Sequence, residues 1–182
     1  VILELLNKSM GDYAEPISVT LLTRKKGSSS QATPELAKMK GKRFVMMQEP
    51  ESDDKIHVGH MKELTGGDEI ETRALFRDPI KFSPQFKIIL ACNKLPYIPA
   101  NDGGTWRRIR VVPFEMKFVD KPSKPNERKI DKNLKRDIKM SIELREAFMS
   151  ILIERFKVYN VNGLVEPDKV VAYTKEYQKS ND

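Results

Sequence analysis

The residues best placed to do chemistry lie between Phe86 and Phe114, in the run FKIILACNKLPYIPANDGGTWRRIRVVPF. An apolar segment leads straight into Asn93, a proline-bounded loop follows, and Arg107 and Arg108 open a second apolar segment. An amide at the tip of a buried strand can hydrogen-bond both a terminal phosphate and an attacking water. Arginine supplies a planar, permanently charged fork that suits transition-state phosphate oxygens. Delivered from a neighbouring subunit, such a group is worth ~10³–10⁵ in rate. Glu49 is a third candidate, because it closes the apolar run FVMMQE. A carboxylate at the carboxyl end of a buried strand reaches the crevice where α/β sheets bind ligands. In nucleotide hydrolases that position holds Mg²⁺ or orients the attacking water.

A second kind of chemistry is suggested between these points. The segment KELTGGD contains Gly66 and Gly67, which permit a sharp reversal and close backbone approach. A hairpin is expected next, over 69–76 and 80–86, turning at Arg77-Asp78-Pro79. It carries Arg73, Arg77 and Lys81 at even spacing, which on a strand places side chains on one face. A one-faced basic hairpin can follow a phosphate backbone. Each feature also has a plainer use. Many strands end in Glu, Asn forms turns readily, a surface arginine pair can flank a packed tryptophan, and basic edge hairpins resist edge-to-edge pairing.

These groups need elements to hold them. A helix is expected over 1–10, closed by Gly11. A β-branched strand follows over 17–22, then a basic Ser-rich loop over 24–30. Thr33-Pro34 starts a short helix that ends near Gly41. The continuous apolar middle of 43–48 reads as a strand covered on both faces, as in parallel sheets. A helix over 58–64 precedes the paired glycines. Strands are expected over 86–92 and 109–114, and helices over 127–138, 142–159 and 166–179. Strands alternating with helices, then helices alone, imply an α/β core with a helical appendage.

The chain has 182 residues, of which 39% are apolar and 32% charged. That suits one domain with a sizeable core. The net charge of +7 favours polyanionic partners, although a solvated lysine-rich surface gives the same number. No apolar run approaches the ~20 residues needed to cross a bilayer. Cys92 is the only cysteine, so no internal disulfide can form. It reads as a small buried hydrophobe. His57 and His60 read as ordinary helix-surface residues, and with one cysteine they make no zinc site.

The order of these features resembles the superfamily 3 helicase domain, in particular the primase–helicases of nucleocytoplasmic large DNA viruses and their phage and plasmid relatives. The resemblance spans nearly the whole chain: MGDYA, TPELAKMKGKR, QEPE, KELTGGDEIETRALF, ACNKLP and DGGTWRRIRVVPF. It implies an AAA+-like P-loop ATPase core with a parallel sheet over 1–118, a linker over 119–126 and a C-terminal helical region over 127–182. It implies ATP and Mg²⁺ as cofactors. Glu49 resembles the Walker B acid, with Glu51 the candidate for a second one, because Gln48 stands where the usual pair has its first acid. Asn93 resembles sensor 1, and Arg107 or Arg108 the arginine finger. Lys62 through Lys81 resembles the segment whose hairpin grips single-stranded DNA in the pore of a hexamer, which adds Lys62 to Arg73, Arg77 and Lys81. The implied setting is viral or mobile-element DNA replication in the host cytoplasm. One part is missing. No GxxxxGK[ST] segment exists, and Gly41-Lys42-Arg43 lacks the hydroxyl that binds Mg²⁺. The chain is therefore expected to begin just after its phosphate cradle, to lack the P-loop strand, and to be inactive alone. The rival expectation is a non-enzymatic DNA-binding or oligomerisation module that keeps the fold without a P-loop.

Overall fold

The computed structural model describes residues 1–25, 32–50, 54–99 and 102–181. In chain order the first elements are α1 (Ile2–Met10), β1 (Ala14–Pro16), α2 (Thr20–Thr23), α3 (Pro34–Lys38) and β2 (Phe44–Gln48). Then come α4 (Val58–Gly66), β3 (Ile70–Thr72), β4 (Ile80–Phe82), β5 (Lys87–Ala91) and α5 (Gly103–Trp106). The last third carries β6 (Lys117–Val119), β7 (Glu127–Lys129), α6 (Leu134–Met140), α7 (Ile142–Asn162) and α8 (Asp168–Lys179). Two units result, one of residues 11–109 with Asn181 and the other of residues 1–10 with 110–180.

The first unit is a mixed α/β unit built around β2. Val45, Met46 and Met47 are all buried, so both faces of the strand are covered, as its unalternating apolar run requires. Strand β1 pairs parallel with β2 from Ala14 opposite Phe44 to Pro16 opposite Met46. Pro16 lacks an N–H, and it is tolerated because β1 is an edge strand. On the other side β5 pairs parallel from Phe44 opposite Lys87 to Gln48 opposite Ala91. Among the described residues no strand is hydrogen-bonded to the outer edge of β5. Leu21, Leu22, Leu36, Met39, Ile56 and Leu64 are also buried in the core of this unit.

Several expected elements take another form, each for a local reason. The run 17–22 does not make a strand. The Ser18 hydroxyl accepts from the Thr20 N–H at 3.3 Å and shares a hydrogen bond with the Thr20 hydroxyl, which opens α2 and still buries Leu21 and Leu22. Nor does 109–114 form a strand. From residue 110 on, its bonds go to side chains: Val111 N–H donates to Thr174 Oγ1 at 3.0 Å, Arg110 pairs with Glu166, and Glu115 pairs with Lys169 and Tyr173. The helix expected over 127–138 starts only at Leu134. Before it, Glu127 accepts from the Ser123 and Lys124 N–H groups, and Asp131 accepts from those of Asn133 and Leu134, so side-chain turns compete with helix. Within the same stretch Glu127–Lys129 pairs in parallel with Lys117–Val119. His60 is a core residue rather than a surface one, 7% exposed. His57 is the N-cap of α4, its Nδ1 accepting from the His60 N–H at 3.4 Å.

In the second unit α1 packs against α6 and α7, with Lys139 and Glu4 paired at 3.6 Å. Helix α7 has a half-buried stripe at Leu144, Phe148 and Leu152, but Ile151, Phe156 and Val158 are exposed. The helix therefore covers an apolar stripe only along its first half. Among the described residues no helix is long and apolar enough to cross a membrane.

Candidate functional site

Parallel pairing brings Glu49 and Asn93 to the same end of the sheet. With Gln48 opposite Ala91, both strands deliver the following residues at their carboxyl ends. Glu49 N–H donates to the Ala91 carbonyl at 3.1 Å, which carries the ladder one residue past β2. There the chain turns sharply, because Glu49 has φ +54°, in the left-handed region. A residue with a Cβ enters that region at a cost of roughly 1–2 kcal/mol. Backbone strain of this kind persists where the surrounding structure enforces it, and it concentrates at functional sites. Asn93 sits in a bend two residues past β5, and both side chains are exposed. Cys92 between β5 and Asn93 is half-buried, and burial pushes its thiol pKa up. Glu51 lies outside the described residues.

The arginines are carried by α5, a single turn with a built N-terminus. Asp102 caps it: Oδ1 accepts from the Thr105 N–H at 2.9 Å and Oδ2 from the Thr105 hydroxyl at 2.9 Å. The Lys62 ammonium donates to the same Oδ1 at 2.9 Å, from a residue forty positions earlier in the chain. The bond from Lys62, followed by that from Thr105, lowers the Asp102 pKa to about 2. Thr105 and Trp106 are buried and anchor the turn. Arg107 follows as its exposed C-cap, while the part-buried Arg108 guanidinium donates back to the Gly104 carbonyl. Gly104 leaves room for the cap: a Cβ there would lie 2.8 Å from Asp102 Oδ1, so the carboxylate would have to shift. The cap, the ammonium and the arginine turn thus form one packed cluster.

The hairpin is present, with shorter strands than expected. β3 and β4 pair antiparallel through Ile70–Phe82, Glu71–Lys81 and Thr72–Ile80. Ile70, Thr72 and Phe82 are buried, and the Thr72 hydroxyl donates to the Thr33 carbonyl at 3.0 Å. Lys81 is on the opposite, solvent face, with Nζ 3.5 Å from Glu71. Arg73 and Arg77 lie in the connection rather than on strands, so strand parity governs Lys81 alone. All three are exposed. Lys62 belongs to α4, and its ammonium is directed at Asp102. At the tip stands Phe76, 102% exposed with φ +56°. Reading the sequence for charge missed it, because residues 69–76 were expected to be strand and only the early end of β3 at Thr72 puts Phe76 in the loop. Among the described residues no group of three or more His, Cys, Asp or Glu could hold a metal ion.

The class these features define is an α/β protein whose parallel sheet presents a strained carboxylate and an amide at adjacent strand ends, with a capped arginine turn and a basic hairpin. The chain belongs to the family of unknown function DUF5906, which matches residues 6–108, more than half of its length. It is 43% identical over its full length to a protein of Acanthamoeba polyphaga mimivirus named "Putative helicase", of which it covers 20%. A protein of Frog virus 3 (isolate Goorha) named "Putative helicase 022R" is 34% identical over 98% of the chain, which covers 19% of that relative. A protein of African swine fever virus (strain Badajoz 1971 Vero-adapted) named "Putative primase" is 24% identical over the full chain, again covering 20% of the relative. The chain thus spans about a fifth of the length of these curated relatives.

Proposed function

We propose that this chain is the part of a superfamily 3 replicative helicase, of the primase–helicase type, that couples ATP hydrolysis to movement on single-stranded DNA in a ring. The observation that carries the proposal is the placement of Glu49 and Asn93 at the carboxyl ends of two adjacent parallel strands, with Glu49 held at positive φ. The names of the relatives in large DNA viruses support it. In this reading the class is a P-loop ATPase. The phosphate cradle comes from sequence outside this chain, and its strand completes the sheet at the outer edge of β5.

The residues fit a nucleotide bound with Mg²⁺ in a specific way. Mg²⁺ keeps several waters and takes one or two carboxylates plus substrate phosphates, so the single described carboxylate at the strand end suits it without a protein cage. Bound there, the ion would neutralise developing charge on the phosphates. Glu49 would orient the attacking water and take its proton, while Asn93 would donate to the terminal phosphate. Arg107, exposed at the end of α5, would reach the nucleotide of a neighbouring subunit. Arg108, tied to the Gly104 carbonyl, would hold the turn in shape. Arg73, Arg77 and Lys81 would contact DNA phosphates.

The test is DNA-stimulated ATPase activity of the full-length protein that carries this chain, beside its Glu49→Gln and Arg107→Ala forms. Both changes should abolish turnover, the second by ~10³–10⁵ if the arginine acts across subunits. Wild-type protein that binds DNA but shows no turnover would instead establish a binding module without catalysis.

A further inference from the structure

The tip of the β3–β4 hairpin combines features that phosphate contact alone does not explain. Phe76 is fully exposed and buries none of its ring, and Leu75 beside it is 61% exposed. A large apolar side chain left in water at a loop tip gains nothing for folding. Phe76 also holds a φ of +56°, where a glycine would cost less. Together with Ala32, Arg73, Arg77 and Asp78, these two residues line one shallow depression. Arginines flank the ring in sequence on either side.

We propose that Phe76 is a stacking residue for an unpaired nucleobase, so that this hairpin holds a single strand by its bases as well as by its phosphates. The proposal rests on the nucleic-acid role of the hairpin and adds a ligand group to it. Proteins that bind single strands without sequence preference join a basic track to aromatic faces on which bases stack. Every base presents a π-face, so one phenylalanine serves any sequence. A duplex keeps its bases stacked on one another, so a tip aromatic selects unpaired strand. Charge complementarity favours this occupant over an apolar protein surface, because such a surface would desolvate the exposed Arg77 guanidinium and offer it no acceptor.

The experiment compares binding of the full-length protein to an oligo-dT strand and to an abasic strand of the same length, which keeps the phosphates and removes the bases. Phe76→Ala should weaken oligo-dT binding roughly five- to a hundredfold and leave abasic binding unchanged. Arg77→Ala should weaken both strands alike and flatten the salt dependence of each by about one phosphate. Phe76→Trp should keep affinity and gain an emission signal that oligo-dT quenches and the abasic strand does not. Because the Phe76 ring is fully exposed, its removal takes no packing from the fold. Equal affinity of Phe76→Ala and wild type for oligo-dT, or equal losses on both strands, would overturn the stacking role while leaving the hairpin a phosphate contact. No binding of either strand by wild type would remove the nucleic-acid role itself, and a change in self-association on Phe76→Ala would then mark the tip as a protein contact.

Discussion

Glu49 has two properties that pull in opposite directions. Its carboxylate stands where the proposed chemistry needs one, and its backbone sits in a region that β-carbon residues avoid. Asparagine occupies that region more readily. Glu49→Asn should therefore raise stability slightly, by roughly 0.5 kcal/mol, while ending any ATPase activity. Denaturant midpoints read beside turnover would check this. A loss of stability would show that the Glu49 side chain makes folding contacts that outweigh the strain. The position of Glu49 was legible because a carboxylate ended an apolar run. The positive φ was not, because it arises where the β2 ladder runs out against Ala91, and pairing between strands is invisible in one stretch of sequence. The role of Phe76 was hidden for a similar reason, since composition does not tell which apolar residues a hairpin leaves in water.

At the scale of elements, the arginine turn depends on Asp102. The carboxylate is ionised in the fold down to a pKa of about 2, below its ordinary 3.8, because Lys62 and Thr105 donate to it. A lowered carboxylate stabilises the fold above its ordinary pKa, and that contribution is lost as pH falls through the lowered value. Protection of the Thr105 amide in α5 should thus be constant at neutral pH and fall as pH descends from 3.8 towards about 2. The effect should shrink in high salt, since the pair is half exposed and screened. A pH titration of the Thr105 amide by NMR would read it, and an unchanged profile in Asp102→Asn would sink it. Other elements were more open to reading. β2 announced itself by its unbroken apolar middle. α4 was marked by the paired glycines, and Gly67 ends it in the left-handed conformation at φ +88°. The segments misread, 17–22, 109–114 and 127–138, share one cause. In each, a Ser, Thr, Asp or Glu side chain supplies the backbone with a partner that periodicity does not register.

For the whole molecule, the sheet order was only partly contained in the sequence. The apolar runs that become β2 and β5 pointed to parallel strands, but β1, the short Ala14–Pro16 segment, carries no such run and was not foreseen, and which strand lies at the edge depends on the set of strands present. Here β5 closes one side. Lys87 N–H donates to the Arg43 carbonyl, towards β2. Along a strand successive amides alternate in direction, so those of Ile88 and Leu90 face the other way. Deuterium should therefore enter β5 in a two-residue rhythm, with Ile88 and Leu90 labelled early and Ile89 late. If the full-length protein adds a strand at this edge, both early amides should become slow together, and the alternation should vanish. The free chain and the full-length protein would then differ by a countable number of protected protons, a signature that reports whether the sheet is complete without reference to activity. Uniform protection of all three amides in the free chain would mean that the edge is already closed.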